Sequence, residues 1–252
     1  MALTHQIIGL VQFAGTLGRL AHPFRRGATA GQLVRMVATE QPPVSLFDLR
    51  RCRIGLNAEQ TQRLGLHGRV NGSHLTSMHS MDNYYVSKLL PLIAESGMTA
   101  IPNPLINITL QGRHDTYPKR RGMTRVPELL AAGVPVAFGH DCVMDPWYSL
   151  GSADMLEVAH MGLHVAQMTS QTGMRQCFEA VTTNAAKVMG LQDYGIAAGC
   201  DASFVLLQAR DPIEAIRLRA TRLKVWRKGQ LLSETAPAIP RLSLPGRTGA
   251  VS

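Results

Sequence analysis

Two short predicted strands in this chain end on side chains that can move protons or hold a metal ion. Val134-Pro135-Val136-Ala137-Phe138 stops at Gly139 and delivers His140 and Asp141. Arg69 to His74 finishes on Ser73-His74, and Met98 to Pro102 leads into Asn103. A carboxylate beside a cation stays ionised and can accept a proton. An imidazole close by can hold or relay one. Short Val- and Phe-rich runs bounded by Gly read as buried parallel strands. In α/β proteins chemistry collects at the carboxyl ends of such strands, which is where His74, Asn103 and Asp141 fall.

Other residues of suggestive type read more plainly. His160-x3-His164 puts two histidines one helical turn apart, a spacing that can bind metal. No Glu follows His160, and a structural role on an outer helix is the expectation. His140 reads as a structural neighbour of Asp141, and His79 as a residue of the pocket or of the loop after its strand. Lys119-Arg120-Arg121 suits phosphate binding or internal salt bridges, and the second is expected. Cys142 has no evident base to activate it as a nucleophile.

The elements that must position these residues emerge from about Ala58. A helix is predicted over 58–66, a strand over 69–74 and a helix over 80–95. Ser80 or Asp82 is its cap, Pro91 its kink and Gly97 its stop. A strand over 98–102 precedes a long polar loop over 103–122. Thr124 caps a helix to Ala132, and the strand over 134–139 follows. Ser152 caps a helix reaching Gln167, with further helices over 173–181 and 183–189. The tail changes to a strand over 202–207, a helical turn over 212–217 and a hairpin over 223–232 turning at Lys228-Gly229. A frayed end over 235–252 closes the chain. Three strand-then-helix units, each ending in a polar residue, follow the pattern of a βα barrel, which needs eight.

Composition sets bounds. The chain has 252 residues, 45% of them hydrophobic, enough for a sizeable core, and a net charge of +9. Seven Arg but only Glu40 and Asp48 as acids lie before Ala58, so much of the charge sits in that segment. At 5% aromatic residues, base-stacking platforms are scarce, and nucleic acid is an unexpected partner. Cys52, Cys142, Cys177 and Cys200 form no CxxC pair, which fits reduced thiols in a cytoplasmic protein. No run suggests a signal peptide or a membrane span.

The motifs also carry a resemblance. Ser73-His74 with Met78-His79-Ser80, Asn103-Pro104-Leu105-Ile106-Asn107, Leu110-Gln111-Gly112-Arg113, Asp115 to Gly122, and Phe138-Gly139-His140-Asp141 with Asp145-Pro146-Trp147-Tyr148 closely resemble bacterial cytosine deaminases of the amidohydrolase superfamily. Thr183 to Lys187, Asp193 to Ile196 and Ala202 to Leu207 resemble the segment in which such enzymes leave the barrel for a β-sandwich. The resemblance covers about residues 58–232. It implies an α/β fold: over 58–200 the C-terminal part of a βα barrel, and over 201–252 a small β segment and tail. It also implies hydrolysis of cytosine to uracil and ammonia by hydroxide formed on one divalent metal, Fe²⁺ or Zn²⁺. Asp141 then matches a metal ligand that takes a proton from the water, His74 a histidine that orients the hydroxide, and Trp147 a wall of the pocket.

Equally, the resemblance exposes departures. The family's His-x-His pair, its substrate-reading glutamine (earlier in the chain than Gln111) and its His-Cys-Asp-Glu motif are missing. Of four expected metal ligands only Asp141 remains. The expectation is a chain corresponding to the C-terminal part of such an enzyme and inactive alone. Residues 1–57 are left unassigned, as non-native or disordered sequence such as a shifted reading frame produces. The ring hydrolysed is cytosine, another cyclic amide or an aminotriazine. A non-catalytic remnant or a basic interaction module is the alternative. An incomplete barrel leaves strand edges that favour assembly with another copy.

Overall fold

The computed structural model describes residues 7–8, 46–244 and 247–250, with side chains over 53–240. The expectation for residues 1–57, including the Arg cluster, therefore falls largely outside the described residues. The chain divides into two compact units. One contains Ala137–Gly139 and the described residues from Asp154 onward, together with strand β1 (Ile7–Ile8); the other contains the described residues from Leu46 to Val136, and His140–Ala153.

The unit that carries His74 opens on helix α1 (Leu46–Arg63), longer at its start than the predicted helix over 58–66. Ile54, Ala58 and Thr61 line its buried side, and it packs on α2 (Asn83–Ser96). Asp82, not Ser80, caps α2: its Oδ1 accepts the Tyr85 backbone N–H at 2.8 Å, removing one of the unpaired donors that every helix start exposes. Pro91 lies inside α2, and Gly97 closes the helix with φ 67°. A Cβ at Gly97 would stand 2.9 Å from the Gly68 backbone nitrogen, so both its conformation and its neighbour require glycine.

Strand β2 (Asn71–Ser73) pairs in parallel with β3 (Thr99–Ile101), Ser73 opposite Ile101. On the other side of β3, Ala100 bridges in parallel to Val136, and its N–H donates to the Pro135 carbonyl at 2.9 Å. The segment predicted as a strand over 134–139 makes this one bridge and no ladder. Two amides explain it: Pro135 has no N–H to give, and the Phe138 N–H donates to the Ala180 carbonyl at 2.9 Å instead. Pro104, at the first turn of α3 (Pro104–Leu110), opens a helix inside the stretch predicted as loop, because the N–H that proline lacks is unpaired at a helix start anyway. Helix α4 (Val126–Ala131) follows, and buried Met78, Ile93, Met98, Val126, Leu129, Val134 and Val136 fill the core of this unit. Each such side chain contributes about 1.5–3 kcal/mol by leaving water.

In the other unit α5 (Met155–Val165) starts on Asp154 rather than Ser152, with the Asp154 carboxylate accepting the Leu156 N–H. It packs with α6 (Gln171–Ala180) and α8 (Pro212–Leu218); α7 (Thr183–Val188) follows α6. Strands β4 (Phe204–Leu207), β5 (Arg222–Arg227) and β6 (Gln230–Glu234) form an antiparallel sheet in the order β1-β4-β5-β6. The tail predicted as frayed contains a further hairpin, β7 (Arg241–Leu244) with β8 (Arg247–Ala250). The fold is mixed α/β with a small antiparallel C-terminal sheet and no closed barrel among the described residues. Among them no helix is long and apolar enough to cross a membrane.

Candidate active site

His74 follows directly on β2. Its N–H donates to the Ile101 carbonyl at 2.9 Å, so the parallel ladder with β3 fixes the backbone up to the residue that carries the imidazole. The chain then reverses: His74 and Leu75 take φ of 63° and 50°, and the Leu75 N–H returns to the Ser73 carbonyl at 2.8 Å. Asp141 also lies in the left-handed region, at φ 67°. Such conformations cost a non-glycine residue roughly 1–3 kcal/mol and gather at functional sites. The result is a pair, His74 Nε2 to Asp141 Oδ2 at 3.3 Å, with side chains 41% and 37% exposed, open to a small solute.

Two asparagines hold the other edge of the imidazole. Asn107 Nδ2 lies 2.8 Å and Asn103 Nδ2 3.2 Å from His74 Nδ1. The Asn103 amide also donates to Ser73 Oγ at 3.3 Å, and the Asn103 backbone N–H donates to Asn107 Oδ1 at 3.0 Å. Both asparagines are buried, at 3% and 2% exposure. Sequence reasoning assigned neither of them to the imidazole. The signal was available: Pro at a helix start with Asn on either side, four residues apart, places both amides on one helix face.

Beside the pair lies an open cleft of about 380 Å³ whose lining includes His74, His79, Ser77, Gln111, Arg53 and Arg120, but neither Asp141 nor Trp147. This is the scale of a small-molecule pocket. The His79 pKa is lowered, first by burial and then by the charges of Arg121, Arg120 and Arg125. Trp147 is 69% exposed, in a turn where Asp145 Oδ1 accepts the N–H groups of Trp147 and Tyr148, each at 2.9 Å.

His140 Nδ1 donates to the Cys142 carbonyl at 2.8 Å, and its Nε2 is buried without a hydrogen-bond partner among the described residues. His160 donates from Nδ1 to the Ile216 carbonyl at 2.8 Å and His164 to the His160 carbonyl at 2.7 Å, so both rings serve backbone acceptors. Arg120 pairs bidentately with Asp115, at 2.6 Å from Nε and 2.5 Å from Nη2, and Lys119 donates to the Arg113 carbonyl at 3.2 Å. The Cys142 thiol is pushed up to about 11, mainly by its hydrogen bond to Asp145, then by burial and the Asp141 and Asp145 charges. That is the wrong direction for a nucleophile.

Among the described residues, no three His, Cys, Asp or Glu side chains gather closely enough to hold a metal ion. A catalytic zinc takes three protein ligands. Asp141 and His74 are two groups, and His74 is already engaged with the carboxylate, so the described residues by themselves do not fit a catalytic divalent metal.

The comparisons with known proteins follow the same residues. The sequence profile of the amidohydrolase family matches residues 51–232, more than half of the chain. The chain belongs to the amidohydrolase family. Within that family it is similar to the pterin deaminase of Rhizobium rhizogenes, 32% identical over 177 residues that make up 69% of this chain and 40% of that one. It is 26% identical over 176 residues to the N-isopropylammelide isopropyl amidohydrolase of a Pseudomonas species, again 69% of this chain and 40% of the relative. Among solved structures, 5-methylcytosine deaminase from Klebsiella pneumoniae, liganded with 5-fluorocytosine, superposes with a TM-score of 0.72 at 37% identity, covering 82% of this chain and 48% of that enzyme. This amidohydrolase-family chain thus spans less than half the length of the relatives it matches, and the matched span contains His74, Asn103, Asn107 and Asp141.

Proposed function

We propose that residues 58–232 are the C-terminal part of a βα-barrel aminohydrolase of the cytosine deaminase type, supplying one part of its active site. The reaction is hydrolysis of cytosine, or a similar amino-substituted ring, to the oxo ring and ammonia. The observation that carries the reading is the His74–Asp141 pair at 3.3 Å, in a chain 37% identical to 5-methylcytosine deaminase over the part that superposes. In this reading Asp141 is the carboxylate that takes up a proton, and His74 is the imidazole that orients the attacking oxygen. Trp147, on an exposed turn, covers one face of the flat ring. Asp141 is also one ligand of the divalent metal, Fe²⁺ or Zn²⁺, whose remaining ligands must come from elsewhere, so the described part is inactive alone.

The test has two arms. The purified chain is assayed for bound metal and, with Zn²⁺ or Fe²⁺ added, for release of ammonia from cytosine, 5-methylcytosine and pterin and of isopropylamine from N-isopropylammelide. The expected result is substoichiometric metal and no turnover; stoichiometric metal or turnover overturns the incompleteness. The chain is then co-expressed with the N-terminal half of the Klebsiella enzyme. Ammonia or isopropylamine release that disappears in Asp141→Asn supports the deaminase reading, and the substrate preferred identifies the ring. A soluble complex without Asp141-dependent turnover on any of the four overturns it.

A further inference from the structure

The amide contacts around His74 decide where its proton sits. The Asn103 backbone N–H can only donate, and it points at one terminal atom of the Asn107 amide at 3.0 Å. That atom must be the oxygen, so the other, 2.8 Å from His74 Nδ1, is the nitrogen. An amide nitrogen offers donors only. His74 Nδ1 therefore presents a lone pair, and a second amide donor, Asn103 Nδ2 at 3.2 Å, converges on the same nitrogen. A neutral imidazole with a bare Nδ1 carries its proton on Nε2, the atom 3.3 Å from Asp141 Oδ2. The opposite tautomer would set N–H against NH₂ on one side and two lone pairs against each other on the other.

We infer that Asn107, supported by Asn103, is a positioning residue that sets the tautomer of His74, so that a donor rather than a lone pair faces Asp141 and the space beside it. The placement follows from the fold. Asn103 and Asn107 sit one turn apart at the start of α3, buried at 3% and 2% exposure. Burial keeps water from competing for the imidazole edge, and the backbone N–H keeps the Asn107 amide from flipping. Hydrogen bonds to the remote nitrogen of a functional histidine commonly fix its tautomer and orientation. The functional consequence rests on the deaminase reading above; the tautomer does not.

The experiment is long-range ¹H–¹⁵N correlation of the histidine side chains in the full chain, with His74 assigned by its absence in His74→Gln. The expected wild-type result is a bare Nδ1 and a protonated Nε2. Asn107→Asp keeps an oxygen for the Asn103 N–H but turns the donor at Nδ1 into an acceptor, so Nδ1 should gain a proton. A wild-type spectrum with protonated Nδ1 overturns the inference, whether or not the variant folds, and so does an Asn107→Asp protein in which Nδ1 stays bare. Because the spectrum needs no turnover, failure of the deaminase reading cannot be mistaken for failure here. In a complex that turns over, Asn107→Asp should lower kcat by about 10- to 100-fold with KM little changed; an unchanged kcat overturns the positioning role.

Discussion

His74 and Asp141 meet at 3.3 Å, and each adopts a left-handed backbone, φ 63° and 67°, to do so. Neither residue is glycine, and neither side chain is buried. Their arrangement costs stability and returns little through a half-exposed contact, since even an exposed ion pair is worth about 0–1 kcal/mol. Local strain without a local stabilising return is what a functional pair looks like.

That reasoning makes Asp141 expendable for folding. Asp141→Gly removes the carboxylate and relieves the left-handed conformation, against the extra freedom glycine has when unfolded. Chemical denaturation should place the variant within about 1 kcal/mol of wild type and not below it. A loss of about 2 kcal/mol or more would make Asp141 a structural mainstay instead.

Cys142 should be sluggish toward alkylation. Its thiol is held at about 11, first by hydrogen bonding to the Asp145 carboxylate, so little thiolate exists at pH 8. Asp145→Asn retains an oxygen for the N–H groups of Trp147 and Tyr148 but removes the charge. Peptide mapping after iodoacetamide should show faster labelling of Cys142, by roughly tenfold for each pKa unit recovered. Equal rates in the two proteins would remove Asp145 as the cause.

Asp115 provides a pH signature. Arg120 holds its carboxyl at about 2, below the usual 3.8, mainly through the side-chain hydrogen bond. The folded carboxyl is thus more acidic than the unfolded one, so the pair's contribution is present above about pH 4 and is lost as pH falls toward about 2. Arg120→Gln should raise the Asp115 midpoint toward its usual value in a carboxyl NMR titration. Its effect on stability should be visible at pH 7 and much smaller at pH 2, where the folded carboxyl is about half protonated.

Gly162 in α5 is a packing requirement. A Cβ there would collide with Cε2 of Phe138, a residue only 3% exposed. Gly162→Ala should destabilise by about 1–3 kcal/mol, the usual cost of overpacking a buried site. Adding Phe138→Leu should recover part of the loss in a double-mutant cycle; strict additivity would show that the two residues do not compete for space.

Much of this was legible in the chain itself. Predicted strands leading to His74, Asn103 and Asp141 marked the ends where a site would form, and the motif order from Ser73 to Tyr148 carried the family. Local chemistry also served for Asp82, Gly97 and the β5–β6 hairpin, because caps and turns depend on residues within one turn of one another. The first turn of α3 lies inside a polar stretch that reads as loop, although proline at a helix start is favourable. The absent ladder over 134–139 escaped because the Phe138 N–H finds its acceptor at Ala180, a partner no local pattern announces.

The sequence by itself therefore determined the family, the strands leading to His74 and Asn103, and the identities of the paired imidazole and carboxylate. These are properties of residue type and short-range order. Only the tertiary structure decided that Asn103 and Asn107 close on His74 and which face of the imidazole meets Asp141. Hydrogen bonding is settled by distances between segments far apart in the chain, where a shift of 1 Å replaces one partner with another.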